Sequence, residues 1–106
     1  METNTTTQDQ IAQLEAEVET WREFSRLRNN TDSLRGADAR EIQTLTFDLG
    51  NALMTRRLND ALAMAEAIDS MLIEGRRTTA RRRANSAAEF VCIGIKRQLG
   101  RIPAAS

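Results

Sequence analysis

Apolar residues recur along most of the chain at spacings of three and four, the period of an α-helix, with little of the strict alternation that marks a half-buried strand. Ile11, Leu14, Val18 and Trp21 form a short heptad stripe, and Phe24 and Leu27 broaden it to one side. A stripe this short does not sustain a free coiled coil, so a helix over about 8–28 has to dock on another surface. Thr7 and Gln10 have the spacing of a capping box at its start. The polar run 1–7 before it reads as a disordered tail.

Asn29, Asn30, Thr31 and Asp32 are turn formers, and with Gly36 they predict a connection over 29–37. Asp38 and Glu41 then give a second cap signature, and the helical period runs on to Glu74. One helix over 38–74 would be roughly 55 Å long, with Gly50 and Asn51 as the expected place for a kink. It carries two stripes. Phe47, Met54, Leu58, Ala61, Ala65, Ile68 and Leu72 form one. Ile42, Leu49, Leu53, Met64, Ala67 and Met71 form the other, roughly 100° away on the helical wheel. Together they span about half the circumference, so this helix has to touch at least two others.

Gly75 is expected to close that helix as a left-handed cap, and a third helix over 78–99 is ended by Gly100 and Pro103. Its face of Ala80, Ala84, Ala87, Ala88, Val91, Ile95 and Leu99 folds back on the preceding helix in one register, from Leu72/Ala80 to Met54/Leu99. Small side chains near the turn bring the backbones close, and the layers widen toward Leu58/Ile95 and Met54/Leu99. That wide end is the expected seat for Trp21 or Phe24, from the first helix or from a second protomer. The predicted fold is all-α, a single domain over 8–106 with an N-terminal amphipathic helix and a long antiparallel hairpin, assembled as a homodimer or larger.

The chain is 106 residues long, enough for one compact core. Its one cysteine, Cys92, can form no intrachain disulfide, and the start of the chain has neither the basic nor the apolar region of a signal peptide. No apolar run approaches the roughly 18 residues of a membrane span, so a cytoplasmic chain without membrane contact is expected. Histidine is absent, the carboxylates are scattered, and the glycines stand singly at 36, 50, 75, 94 and 100. General-base, metal and phosphate-loop chemistry therefore lack their usual residues, and neither an enzyme nor a cofactor is expected. Cys92, in Phe90-Val91-Cys92-Ile93, reads as a small core residue.

Charge adds a direction to this picture. The formal net charge is +0, but residues 1–48 hold ten acids and five arginines, while 49–106 hold five acids and ten bases. Arg76, Arg77, Arg81, Arg82 and Arg83 crowd the start of the last helix, where the macrodipole disfavours cations, so an anion has to compensate them. Glu15, Glu17, Glu19 and Glu23 of the first helix are one source. A nucleotide, nucleic acid or other phosphate-bearing ligand at this helix start is the alternative. Arg81, Arg82 and Arg83 point in three directions, which suits a local anion better than duplex DNA.

These readings together describe a non-catalytic, homo-oligomeric helical protein that acts by occupying a partner protein's surface, as a regulatory or inhibitory module. Its docking face is Ile11, Leu14, Val18, Trp21, Phe24, Leu53, Met64 and Met71. The segment Arg83-Ala84-Asn85-Ser86-Ala87-Ala88-Glu89-Phe90-Val91-Cys92-Ile93-Gly94 resembles the second helix of the helical-hairpin domain in small phage anti-defence proteins that sequester cyclic nucleotides. The likeness rests on an arginine followed by one aromatic in a small-residue helix, while the first helix departs from that pattern. It implies a viral inhibitor whose arginine-rich hairpin end holds a nucleotide between protomers, and no functional residue is carried over.

Overall fold

The computed structural model describes residues 2–75 and 78–101. Among these there are four α-helices and no strand: α1 (Glu2–Thr31), α2 (Ala39–Met54), α3 (Leu58–Glu74) and α4 (Thr79–Gln98). The chain is all-helical as expected, with four helices in place of three.

Cross-helix contacts fix the directions. Glu17 meets Arg56 and the Thr31 carbonyl meets Gln43, so α2 runs antiparallel to α1. Glu19 pairs with Arg97 and Arg26 reaches Ser86, so α4 is also antiparallel to α1. Asp69 accepts from Asn85 and the Met71 carbonyl from Arg81, which sets α3 against α4. The result is an up-down-up-down bundle in which each helix packs on its neighbours and α1 closes the ring against α4.

The break between α2 and α3 falls at Thr55-Arg56-Arg57, five residues beyond the Gly50 kink expected from sequence. Arg57 N–H donates to the Ala52 carbonyl at 2.9 Å and Arg56 N–H to that of Leu53 at 3.2 Å, the two bonds of a Schellman cap. Arg56 takes the left-handed position at φ 59° without being glycine, so no glycine signals the stop. Gly50 instead lies inside α2 under Phe24, where an added Cβ would come within 2.8 Å of the ring. The break rotates α2 relative to α3 and splits the predicted stripes between them. In α2, Ile42, Leu49 and Leu53 are buried while Phe47 and Met54 face solvent; in α3, Ala61, Ala65, Ile68 and Leu72 are fully buried against α4. The hairpin register therefore loses its Met54/Leu99 layer.

Helix α1 begins at Glu2, not at Thr7, so residues 2–7 continue the helix where a disordered tail was expected. Extending a helix already held at 16–31 adds one hydrogen bond per residue without a new nucleus. At its other end α1 runs through Asn29 to Thr31 into the predicted connection. There the Asn30 amide donates to the Arg26 carbonyl at 2.7 Å and the Thr31 hydroxyl to that of Arg28 at 3.0 Å, so these turn formers bond back onto the helix. The connection is 32–38, and Leu34 plugs it into the core. Helix α4 ends within a residue of its expected limit, through a second Schellman cap with Gly100 at φ 72°.

Helices α1 and α4 approach closely at Thr20 and Gly94. Thr20 is fully buried, its hydroxyl donating to the Ala16 carbonyl at 2.7 Å and accepting from the Gln98 amide at 2.9 Å. A Cβ on Gly94 would stand 2.2 Å from that hydroxyl and 3.2 Å from the Thr20 Cα. Gly94→Ala should therefore destabilise the bundle by about 1–3 kcal/mol, although alanine is the better helix former. Urea unfolding of both proteins, followed by far-UV circular dichroism, measures this.

Candidate interaction surfaces

The arginine cluster does not form one surface. Arg76 and Arg77 lie outside the described residues. Arg82 and Arg83 are exposed, whereas Arg81 is only 4 % exposed and turns inward. Its guanidinium donates to both Asp38 oxygens, at 2.9 and 2.8 Å, and to the Met71 carbonyl at 2.8 Å. One side chain so ties the start of α2, the last turn of α3 and its own helix. Thr78 caps α4 directly beside it, its hydroxyl accepting from Arg81 N–H at 3.2 Å.

This arrangement corrects four expectations. Arg81 is an internal clamp and cannot serve an external anion, because a forked cation beneath the α3–α4 turn finds its carboxylate within the fold. That carboxylate is Asp38, not the glutamates of α1. Glu17 and Glu19 of α1 do pair with arginines, but with Arg56 and Arg97 outside the cluster. Asp38 in turn makes no side-chain cap on α2, since both its oxygens face Arg81. Gly75 is not left-handed: at φ −81° and ψ 178° it is extended, and its missing side chain makes room for Arg81. A Cβ there would sit 1.8 Å from the guanidinium.

Arg83 opens onto a recess of about 270 Å³ shared with Arg26, Asn30 and Ser86. Arg26 is partly committed there, pairing with Glu23 at 3.1 Å, donating to Ser86 at 3.1 Å and lying over Phe90. Along α3 and α4, burial and then the negative charge of Asp69 and Glu66 push the Cys92 thiol up to about 12. Such a thiol is a core atom, with almost none of the reactive thiolate at neutral pH.

The predicted docking face divides by burial. Phe24 and Leu53 are inside the core, and Trp21, Met64 and Met71 are half-buried against it. Ile11, Leu14 and Val18 are open to solvent, at 49 %, 60 % and 58 % exposure. Helix α1 meets the bundle with Ala16, Thr20, Phe24 and Leu27, which are buried and lie on the opposite side of the helix from the heptad stripe. The stripe signalled an apolar face correctly but not the face that docks, because the small Ala16 and Thr20 carry little hydrophobic signal. From Val18 the surface runs to Trp21, which stands edge-on to Phe24 at 5.6 Å. Trp21 then borders a recess of about 330 Å³ between α1 and α2, shared with Phe47, Gly50 and Met54. Phe47 and Met54, expected on one apolar stripe of the long helix with Met54 against Leu99, are 69 % and 71 % exposed.

Among the described residues, no three of His, Cys, Asp and Glu are placed to share a metal ion, and no helix is long and apolar enough to cross a membrane. No family model, curated protein or solved structure matches the chain.

The Arg81 hydrogen bonds hold the Asp38 carboxyl below its ordinary value. Its stabilising contribution is complete above the unfolded carboxyl value of about 3.9 and is lost as pH falls through the lower folded value. Asp69 has the opposite sign: burial, and then Glu89, raise it, so its protonation on acidification relieves a cost. Thermal midpoints should hold down to about pH 4 and fall steeply below it, with a shallower fall in Asp38→Asn. At neutral pH, Arg81→Ala should cost about 2–3 kcal/mol in urea unfolding, low for a broken buried pair because Asp38 keeps contact with water.

Proposed function

We propose that this protein is a non-catalytic helical interaction module that associates with itself and with a partner protein through apolar side chains its own bundle leaves uncovered. The observation that carries this reading is the exposure of Ile11, Leu14 and Val18 along one side of α1, with Trp21 one turn beyond Val18 bordering the recess it shares with the exposed Phe47 and Met54. Large apolar residues exposed singly need no explanation, as with Ile73 and Phe90 elsewhere on the molecule. A contiguous set lining one face does, because monomeric proteins rarely keep such patches unless something covers them. Ile11, Leu14, Val18, Phe47 and Met54 stand outside the packed core, and Trp21 lies partly against it.

A phosphate-bearing ligand is the second reading, favoured by the recess in which Arg83 and Arg26 meet Ser86 and Asn30. Of the clustered arginines, Arg82 and Arg83 are the described ones left for such a role once Arg81 is withdrawn into the fold. A titration with nucleotides and RNA at low salt separates the two readings, since binding there should weaken on Arg83→Glu.

For the interaction reading, light scattering during size-exclusion chromatography from about 1 to 500 μM should show the mass rise with concentration, as expected for a weak assembly. Leu14→Glu combined with Val18→Glu should hold the mass at that of the monomer without lowering the thermal midpoint. A monomeric wild-type protein across the range would contradict self-association.

A further inference from the structure

We infer that the second copy binds by laying its α1 alongside this α1, parallel and in register. This inference rests on the self-association reading above and specifies its geometry. With Ile11 and Val18 as a positions and Leu14 and Trp21 as d positions, the exposed stripe has β-branched residues at a and leucine at one d, a pattern that favours parallel two-stranded pairing. Ile11 then meets its copy, as do Leu14 and Val18, and the half-buried Trp21 bounds the seam where α1 enters the bundle.

The charges flanking the seam select the same orientation. Glu17 is a g position and Arg22 the following e position, which face each other across a parallel pair. Arg22 is exposed beside Leu14 and Val18 and has no ion-pair partner among the described residues. Glu17 receives Arg56 of its own chain at 3.1 Å and keeps 29 % of its side chain exposed, so Arg22 of the other copy would complete an arginine–glutamate–arginine row. Two-fold symmetry forms that row twice. An antiparallel pair centred on the same stripe, with Leu14 opposite Val18, would instead bring Glu15 toward its own copy and Glu17 toward its own copy. Those like charges oppose it.

The bundle permits the parallel arrangement. Ala16, Thr20, Phe24 and Leu27, which pack on the bundle, lie across α1 from Ile11, Leu14 and Val18, while Arg56, Leu58 and Gln98 border Leu14 at one flank of the seam. The four side chains per copy fall well short of the roughly 1,200 Å² of a stable interface, so the pair is weak and concentration-dependent.

Double electron–electron resonance on the full chain tests the orientation, with Cys92→Ala removing the buried thiol and a nitroxide on Gln8→Cys, an exposed site beside the seam. At concentrations where light scattering shows a dimer, the parallel pair places the two labels within about 25 Å. The antiparallel pair sets Gln8 opposite residue 24, adding roughly 24 Å along the axis and moving the distance beyond about 30 Å. Arg22→Glu should weaken dimerisation about tenfold by turning both cross-helix pairs repulsive. A dimer with the long distance, or one unaffected by Arg22→Glu, overturns the parallel seam and leaves self-association standing. A labelled and an unlabelled protein that are both monomeric throughout overturn both.

Discussion

Helix α1 packs against α4 at a distance set by a buried threonine meeting a glycine, and that contact decides which way the rest of α1 faces. Ala16 and Thr20 are small enough to let the two backbones approach at Gly94, while Phe24 and Leu27 fill the space beyond. Once those four positions face inward, the helical period obliges Ile11, Leu14 and Val18 to face outward. The most apolar stripe of the helix is thus its solvent side. The Thr20 hydroxyl has both a donor and an acceptor role filled, so burying it carries no unpaired polar group.

The opposite end of the bundle is held by a charge. Arg81 joins three helix ends through one guanidinium, and the residues around it are chosen for that role: Asp38 supplies both oxygens, Gly75 supplies space and Thr78 starts the helix. The bundle therefore has one end fastened by a buried cation and another where apolar surface stays open. The basic half of the chain is in part structural, which leaves its exposed arginines fewer than composition alone suggests.

Much of the helical content was legible from apolar spacing, and so was the packing of α3 on α4, which bury Ala61, Ala65, Ile68 and Leu72 on one helix and Ala84, Ala87, Val91 and Ile95 on the other. The α2–α3 break was not, because its left-handed position is filled by Arg56, which carries no turn signal, while the glycine nearby serves packing instead. The clamp was also hidden. Five clustered arginines look alike in sequence, and only the fold shows that Arg81 faces the α2 start whereas Arg82 and Arg83 face water. The heptad stripe is legible as an apolar face; that α1 turns a small-residue face inward depends on a match with Gly94, some seventy positions away.

The central claim is that α1 is docked by its small face and presents its apolar stripe to solvent in the monomer. Methyl NMR of dilute protein with a water-soluble paramagnetic agent reads this directly. The account predicts strong broadening of the Ile11, Leu14 and Val18 methyls, none at Ile42, Leu49, Ile68 and Leu72, and protection of the first three as concentration rises. Ile11, Leu14 and Val18 methyls already shielded in the dilute monomer would contradict it.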